Sequence, residues 1–146
     1  MPKRDIMHRH SAWLEIVETD LNSAKVLLKS GLFSTALFHG QQAAEKALKA
    51  YLVLKKGSVY KTHDLVKLVV LCTQIDADFK HFTEIAITLN PFSTEHRYPS
   101  EHDIPDAHEV RKAIKQAQKI VVFVVKKMAT PTTGIINIFD LDTEDQ

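Results

Sequence analysis

Apolar residues recur along this chain at the spacing of a helix surface, in five separate stretches. Trp13, Ile16, Val17, Leu21, Ala24, Leu27 and Leu28 follow that period and predict a first helix from about Ser11 to Ser30. Gly31 is placed to end it in the left-handed conformation. A second helix is predicted from about Ser34 to Lys55, with Leu37, Ala44, Ala47, Leu48, Tyr51 and Leu52 on its inner side and Gly57-Ser58 closing it. The short connection makes these two helices antiparallel neighbours. Thr62 is the expected N-cap of a third helix carrying Leu65, Leu68, Val69 and Cys72, with Asp64 in its first turn. A fourth follows Asp76 or Asp78, buries Phe79, Phe82, Ala86 and Leu89, and stops at Asn90-Pro91. Asp106 with Glu109 three residues on opens a fifth, whose stripe is Val110, Ala113, Ile114, Ala117, Ile120, Val121, Val124 and Met128. Val121 to Val125 taken alone would pass for a strand, but the unbroken period and charged flanks favour helix. The fold class expected is therefore all-α, a bundle of about five helices.

The stretch from Pro91 to Pro105 breaks the periodicity. It holds three prolines and the charged side chains of Glu95, His96, Arg97, Glu101, His102 and Asp103. Irregular segments carry function more often than helix interiors do. The 146 residues suffice for one domain with a real core. Residues 10–128 are read as that domain and residues 129–146 as an acidic tail, which holds Asp140, Asp142, Glu144 and Asp145 and no Lys or Arg. Formal net charge is +1 over the whole chain; without the tail, 19 basic residues face 14 acidic ones, a balance of +5. A mildly basic body suits phosphate ligands but falls short of the basic stripe of a dedicated duplex binder.

The sole cysteine, Cys72, cannot form an intramolecular disulfide and sits in an apolar run, so a buried, inert thiol is expected. No stretch approaches the roughly 20 apolar residues of a membrane span, and Met1-Pro2-Lys3-Arg4-Asp5 lacks the apolar core of a signal peptide. No membrane partner and a cytoplasmic location are expected. The few glycines form no phosphate-cradling loop. The pairs His8 with His10 and His96 with His102 lack zinc-site spacing, so neither a metal nor a cofactor is expected.

Three strings carry a resemblance to a known family: Gln41-Gln42-Ala43-Ala44-Glu45-Lys46, Lys61-Thr62-His63-Asp64-Leu65, and Arg97-Tyr98-Pro99. In this order the chain resembles the HEPN domain, a small all-α nucleotide-binding and RNA-cleaving family, over roughly residues 10–128. The family's ribonucleases carry an Arg, four to six residues, then a His. Arg97 and His102 fit that frame. The resemblance implies a metal-independent endoribonuclease of a toxin–antitoxin-like system, with a small nucleotidyltransferase as partner. It also implies a composite site at a two-fold homodimer. The alternative it allows is a non-catalytic module that binds a nucleotide or docks on a nucleotidyltransferase, because one fold hosts different functions. In some of the family's toxins a modifiable Tyr stands two residues after the His; here that position is Ile104.

The chemistry of the pair is coherent. A 2′-hydroxyl attacking the adjacent phosphorus needs a group to take its proton, and His titrates in the right range. It also needs a fixed cation against charge growing on the phosphoryl oxygens, which the planar fork of Arg supplies. In one regular helix a five-residue offset separates side chains by about 140°, so Arg97 and His102 converge only through irregular backbone or a second subunit. His63 reads first as part of a helix start and, functionally, as a rim residue meeting phosphate or base. Lys46 reads first as a solvated charge and, functionally, as a phosphate contact. Tyr98 joins them as a candidate for binding RNA or a nucleotide. Glu45 and Lys49 sit one turn apart in the favourable order. Gln41, Gln42, Glu45 and Lys46 border an alanine face suited to a helix–helix or dimer contact.

Overall fold

The structure, a computed structural model, describes residues 6–93 and 106–129. Arg97, Tyr98 and His102, and the acidic tail beyond residue 129, lie outside the described residues. Every regular element among the described residues is helical: α1 His10–Lys29, α2 Phe33–Lys56, α3 Leu65–Ile75, a 3-10 turn Ala77–Phe82, α4 Thr83–Leu89, a second 3-10 turn Asn90–Ser93, and α5 Ala107–Met128. The all-α bundle with antiparallel α1 and α2 is what the periodicity implied.

Helix ends follow from local chemistry. Gly31 has φ of 76°, and the amides of Gly31 and Leu32 donate to the carbonyls of Leu28 and Leu27 at 3.1 and 2.9 Å. That pair of bonds closes α1 with a Schellman motif and turns the chain straight into α2. Gly57, at φ of 66°, ends α2 in the same left-handed region. At α3 the expected cap is corrected. Asp64 is the N-cap, its carboxylate accepting from the amides of Val66 and Lys67, while the Thr62 hydroxyl accepts from the Asp64 amide at 3.1 Å. Both short side chains can bond the backbone just ahead of them, and the one adjacent to the helix takes the cap. Asn90 adds a tie that the sequence did not disclose. Its Oδ1 accepts from the Leu65 amide at 2.8 Å and its Nδ2 donates to Asp64 at 3.1 Å, so the end of α4 holds the start of α3. Asp106 caps α5 through the Glu109 amide, as expected.

The core lies around α2, which packs chiefly against α1 and α5 and also meets α3. Ala43, Ala44, Ala47, Leu48, Ala50 and Leu52 are wholly buried. A Cβ added at Gly40 would stand 3.4 Å from the side chain of Ile114, the closeness with which α2 and α5 meet. The alanine face of α2 is therefore filled by the chain's own helices. One residue of the expected α1 stripe departs: Ile16 is exposed. Below α2, Phe79 contacts Tyr51 and Phe123 with ring centroids 4.6 and 5.0 Å apart, and Phe82 meets Phe123 at 4.8 Å. Lys127, near the end of α5, clamps this 3-10 turn through Asp76 at 2.9 Å and Asp78 at 2.8 Å.

Candidate functional site

Two charged centres are built on α2, each from one buried carboxylate that binds one lysine and one histidine. The first is Glu45, whose side chain is 1% exposed. It accepts from Lys49 Nζ at 2.9 Å, one turn further along the helix, and the Lys49 side chain is itself only 6% exposed. Gln42 Nε2 reaches the other carboxylate oxygen at 3.4 Å and Gln41 Oε1 at 2.8 Å. His63, in the connection before α3, places Nδ1 3.0 Å from Glu45 Oε2. A carboxylate only accepts, so Nδ1 carries the proton and Nε2 of the neutral ring holds the lone pair. The His63 side chain is 71% exposed. An interior carboxylate thus fixes the orientation of an imidazole that faces solvent. Such a ring can accept a proton at Nε2, donate one there when charged, or bond a phosphate oxygen.

The second centre joins α1 to α2. Asp20, buried on the inward face of α1, accepts from Lys46 Nζ at 2.9 Å and stands 2.9 Å from His39 Nδ1. Lys46 is therefore held in an ion pair on Asp20, while His63 belongs to Glu45; these two candidate residues serve separate networks. Sequence reasoning missed Asp20 and His39. Their signal was present: Asp20 falls between Val17, Leu21 and Ala24, on the face where the period demands apolar residues. His39 and Lys46 are two turns apart on α2, hence on one side of it. The one-turn spacing of Glu45 and Lys49 shows a favourable pair but not that both side chains are interior.

Other titratable groups have structural surroundings. Burial pushes the Cys72 thiol up to about 12. Lys127 beside Asp76 holds that carboxyl below the usual carboxylate range, aided by the Asp78 amide. Among the described residues, no three His, Cys, Asp or Glu side chains come together as a metal site requires. No helix among them is long and apolar enough to cross a membrane.

The sequence matches the HEPN domain family over residues 10–128. A protein of Methanocaldococcus jannaschii named as a candidate toxin is 41% identical over 51 residues, which make up 35% of this chain and 33% of that protein. The match thus reaches about a third of the length of that curated relative. The crystal structure of TT1696 from Thermus thermophilus is similar in fold, with a TM-score of 0.71 at 33% identity, covering 83% of this chain and 99% of that one. The family match opens at the first residue of α1 and closes at the last of α5, taking in the whole bundle and both charged centres of α2, and the chain belongs to the HEPN domain family.

Proposed function

We propose that this protein is a metal-independent endoribonuclease, the toxin or RNA-processing half of a two-component system whose other member is a small nucleotidyltransferase. The single observation that carries the reading is the Arg97-x4-His102 spacing inside a HEPN domain. The similarity of one segment to a candidate toxin agrees with it.

In the proposed reaction the 2′-hydroxyl of one nucleotide attacks the adjacent phosphorus and the bond to the 5′ oxygen breaks. His102 takes the hydroxyl proton, and a proton returns to the leaving oxygen. Arg97 stabilises the charge on the phosphoryl oxygens. The products are a 2′,3′-cyclic phosphate and a 5′-hydroxyl, and the step balances without a metal. His63, anchored on Glu45, contributes a phosphate or base contact, with Tyr98 in a similar role. Lys46 acts on substrate only by leaving Asp20. The active species is a two-fold homodimer that pools Arg97 and His102 from two chains. Since the alanine face of α2 is filled within the chain, the dimer uses another surface.

The test is cleavage of a single-stranded RNA by the purified protein beside its Arg97→Ala and His102→Ala variants. Each variant is expected to lose about a hundred- to ten-thousandfold in rate. Unchanged cleavage by a folded His102→Ala protein would overturn the mechanism. No cleavage by any of the three would leave the nucleotide-binding module.

A further inference from the structure

Three lysines are spoken for: Lys46 and Lys49 on α2 and Lys127 near the end of α5 each sit on a carboxylate within 2.9 Å. The outer face of α5 differs. Arg111, Lys112, Lys115 and Lys119 are all exposed, and none has a carboxylate partner among the described residues. Arg111, Lys115 and Lys119 follow each other at intervals of four, and Lys112 lies three before Lys115, so the four share one side of the helix. From Arg111 to Lys119 the row runs about 12 Å. The only carboxylate in this part of the helix is Glu109.

At the N-terminal end of the row lies a groove of about 330 Å³ between α2, the end of α4 and α5. Leu37 and Ala113 contribute apolar walls, Phe92 and His108 contribute rings, and Lys112 and Glu109 contribute one charge of each sign. Lys112 belongs to both the row and the groove. Phe92 and His108 also stand just before and just after the segment that carries Arg97 and His102.

We infer that this face of α5 is the footing for a single strand of RNA. The row of Arg111, Lys115 and Lys119 takes successive phosphates, and the groove seats one unstacked base against Phe92 or His108. This inference rests on the ribonuclease reading for the choice of RNA. A duplex keeps its bases stacked and has no base to place in the groove, whereas single strands bind by cations along the backbone and rings under the bases.

The test uses a fluorescein-labelled 2′-O-methyl RNA of about a dozen nucleotides, whose blocked 2′ oxygen prevents cleavage, with binding read by fluorescence anisotropy over a salt series. The triple variant Arg111→Gln, Lys115→Gln, Lys119→Gln is expected to bind about 100-fold more weakly at 0.1 M salt, and its slope of log K against log salt should flatten by about 2. These exposed changes should leave the melting curve in place. His108→Ala, measured at pH 8, should weaken binding about fivefold with the slope unchanged. A triple variant that keeps the wild-type slope overturns the inference, as does a duplex bound as tightly as the single strand. Because the probe cannot be cut, salt-dependent binding through this row supports the footing even in a protein that cleaves nothing, which would sink the nuclease reading alone.

Discussion

Replacing Glu45 with alanine tests the claim that α2 carries an interior ion pair. The two charges stand 2.9 Å apart, both almost wholly buried. At an effective dielectric of about 20 their attraction is about 6 kcal/mol. Removing each ion from water costs several kcal/mol, so the intact pair is close to neutral for stability. Removing one member is different. Lys49 would keep its desolvation and lose its anion, and the neighbouring Gln42 amide offers no charge to replace it. The expected loss is about 3 to 5 kcal/mol. The assay is equilibrium unfolding in urea, where a slope of about 2 kcal/mol per molar turns that loss into a midpoint lowered by about 1.5 to 2.5 M. The double variant Glu45→Met, Lys49→Met should recover most of it, because no orphan charge remains. A Glu45→Ala protein within about 1 kcal/mol of wild type would refute the reasoning and mean that water reaches Lys49.

Three further outcomes are expected. Asp64→Ala and Asn90→Ala should each cost about 1 kcal/mol and together less than their sum, since the side chains bond each other as well as the start of α3; strict additivity in a double-mutant cycle would deny the link. Asp76 has a folded pKa below its unfolded one, so its pairing with Lys127 adds stability above the unfolded value that disappears as pH falls through the folded value. Lys127→Met should therefore flatten the acid limb of the stability curve below about pH 4, and an unchanged limb would place the pairing elsewhere. Cys72, buried with its thiol held protonated, should react with a thiol reagent at pH 8 only as fast as the protein opens, whereas full labelling within seconds under native conditions would show the site is accessible.

Much of the bundle was legible because its helices are amphipathic in the ordinary way. Phe79, Phe82, Ala86 and Leu89 were assigned to the core by period alone, and so were Leu65, Leu68, Val69 and Cys72. Glycines marked the ends of α1 and α2 because only a positive φ lets the chain leave a helix there. Legibility failed where a residue's neighbours come from elsewhere in the chain. Asp20 looks like a flaw in an apolar stripe until Lys46 and His39 arrive from α2. Gln41, Gln42 and Glu45 look like the polar border of an alanine face until α1, α3 and α5 close around α2. Ile16 follows the period but falls at the edge of the packed face. Asn90 reads as a stop before proline, and nothing local says that its amide caps a helix twenty-five residues earlier. For the candidate site the order is reversed. Arg97 and His102 were visible as a spacing, whereas the carboxylate beneath His63 needed three dimensions.

The turn at Gly31 also has a kinetic meaning. It brings α1 and α2 together through Ser30-Gly31-Leu32, so the largest helix–helix interface of the bundle closes across a short loop. α5 completes the enclosure of α2 from far along the chain, after a much longer closure. Contacts of low sequence separation form first in small helical domains. The α1–α2 hairpin is therefore the expected folding nucleus, with α5 docking late. Val17→Ala in α1 should then slow folding, while Val121→Ala in α5 should mainly speed unfolding, a contrast that the two arms of a chevron plot would resolve. On this view the resistance of the native protein to opening is set at α5, the same helix that would carry the RNA, and a bound strand would slow unfolding most directly by holding that last piece in place.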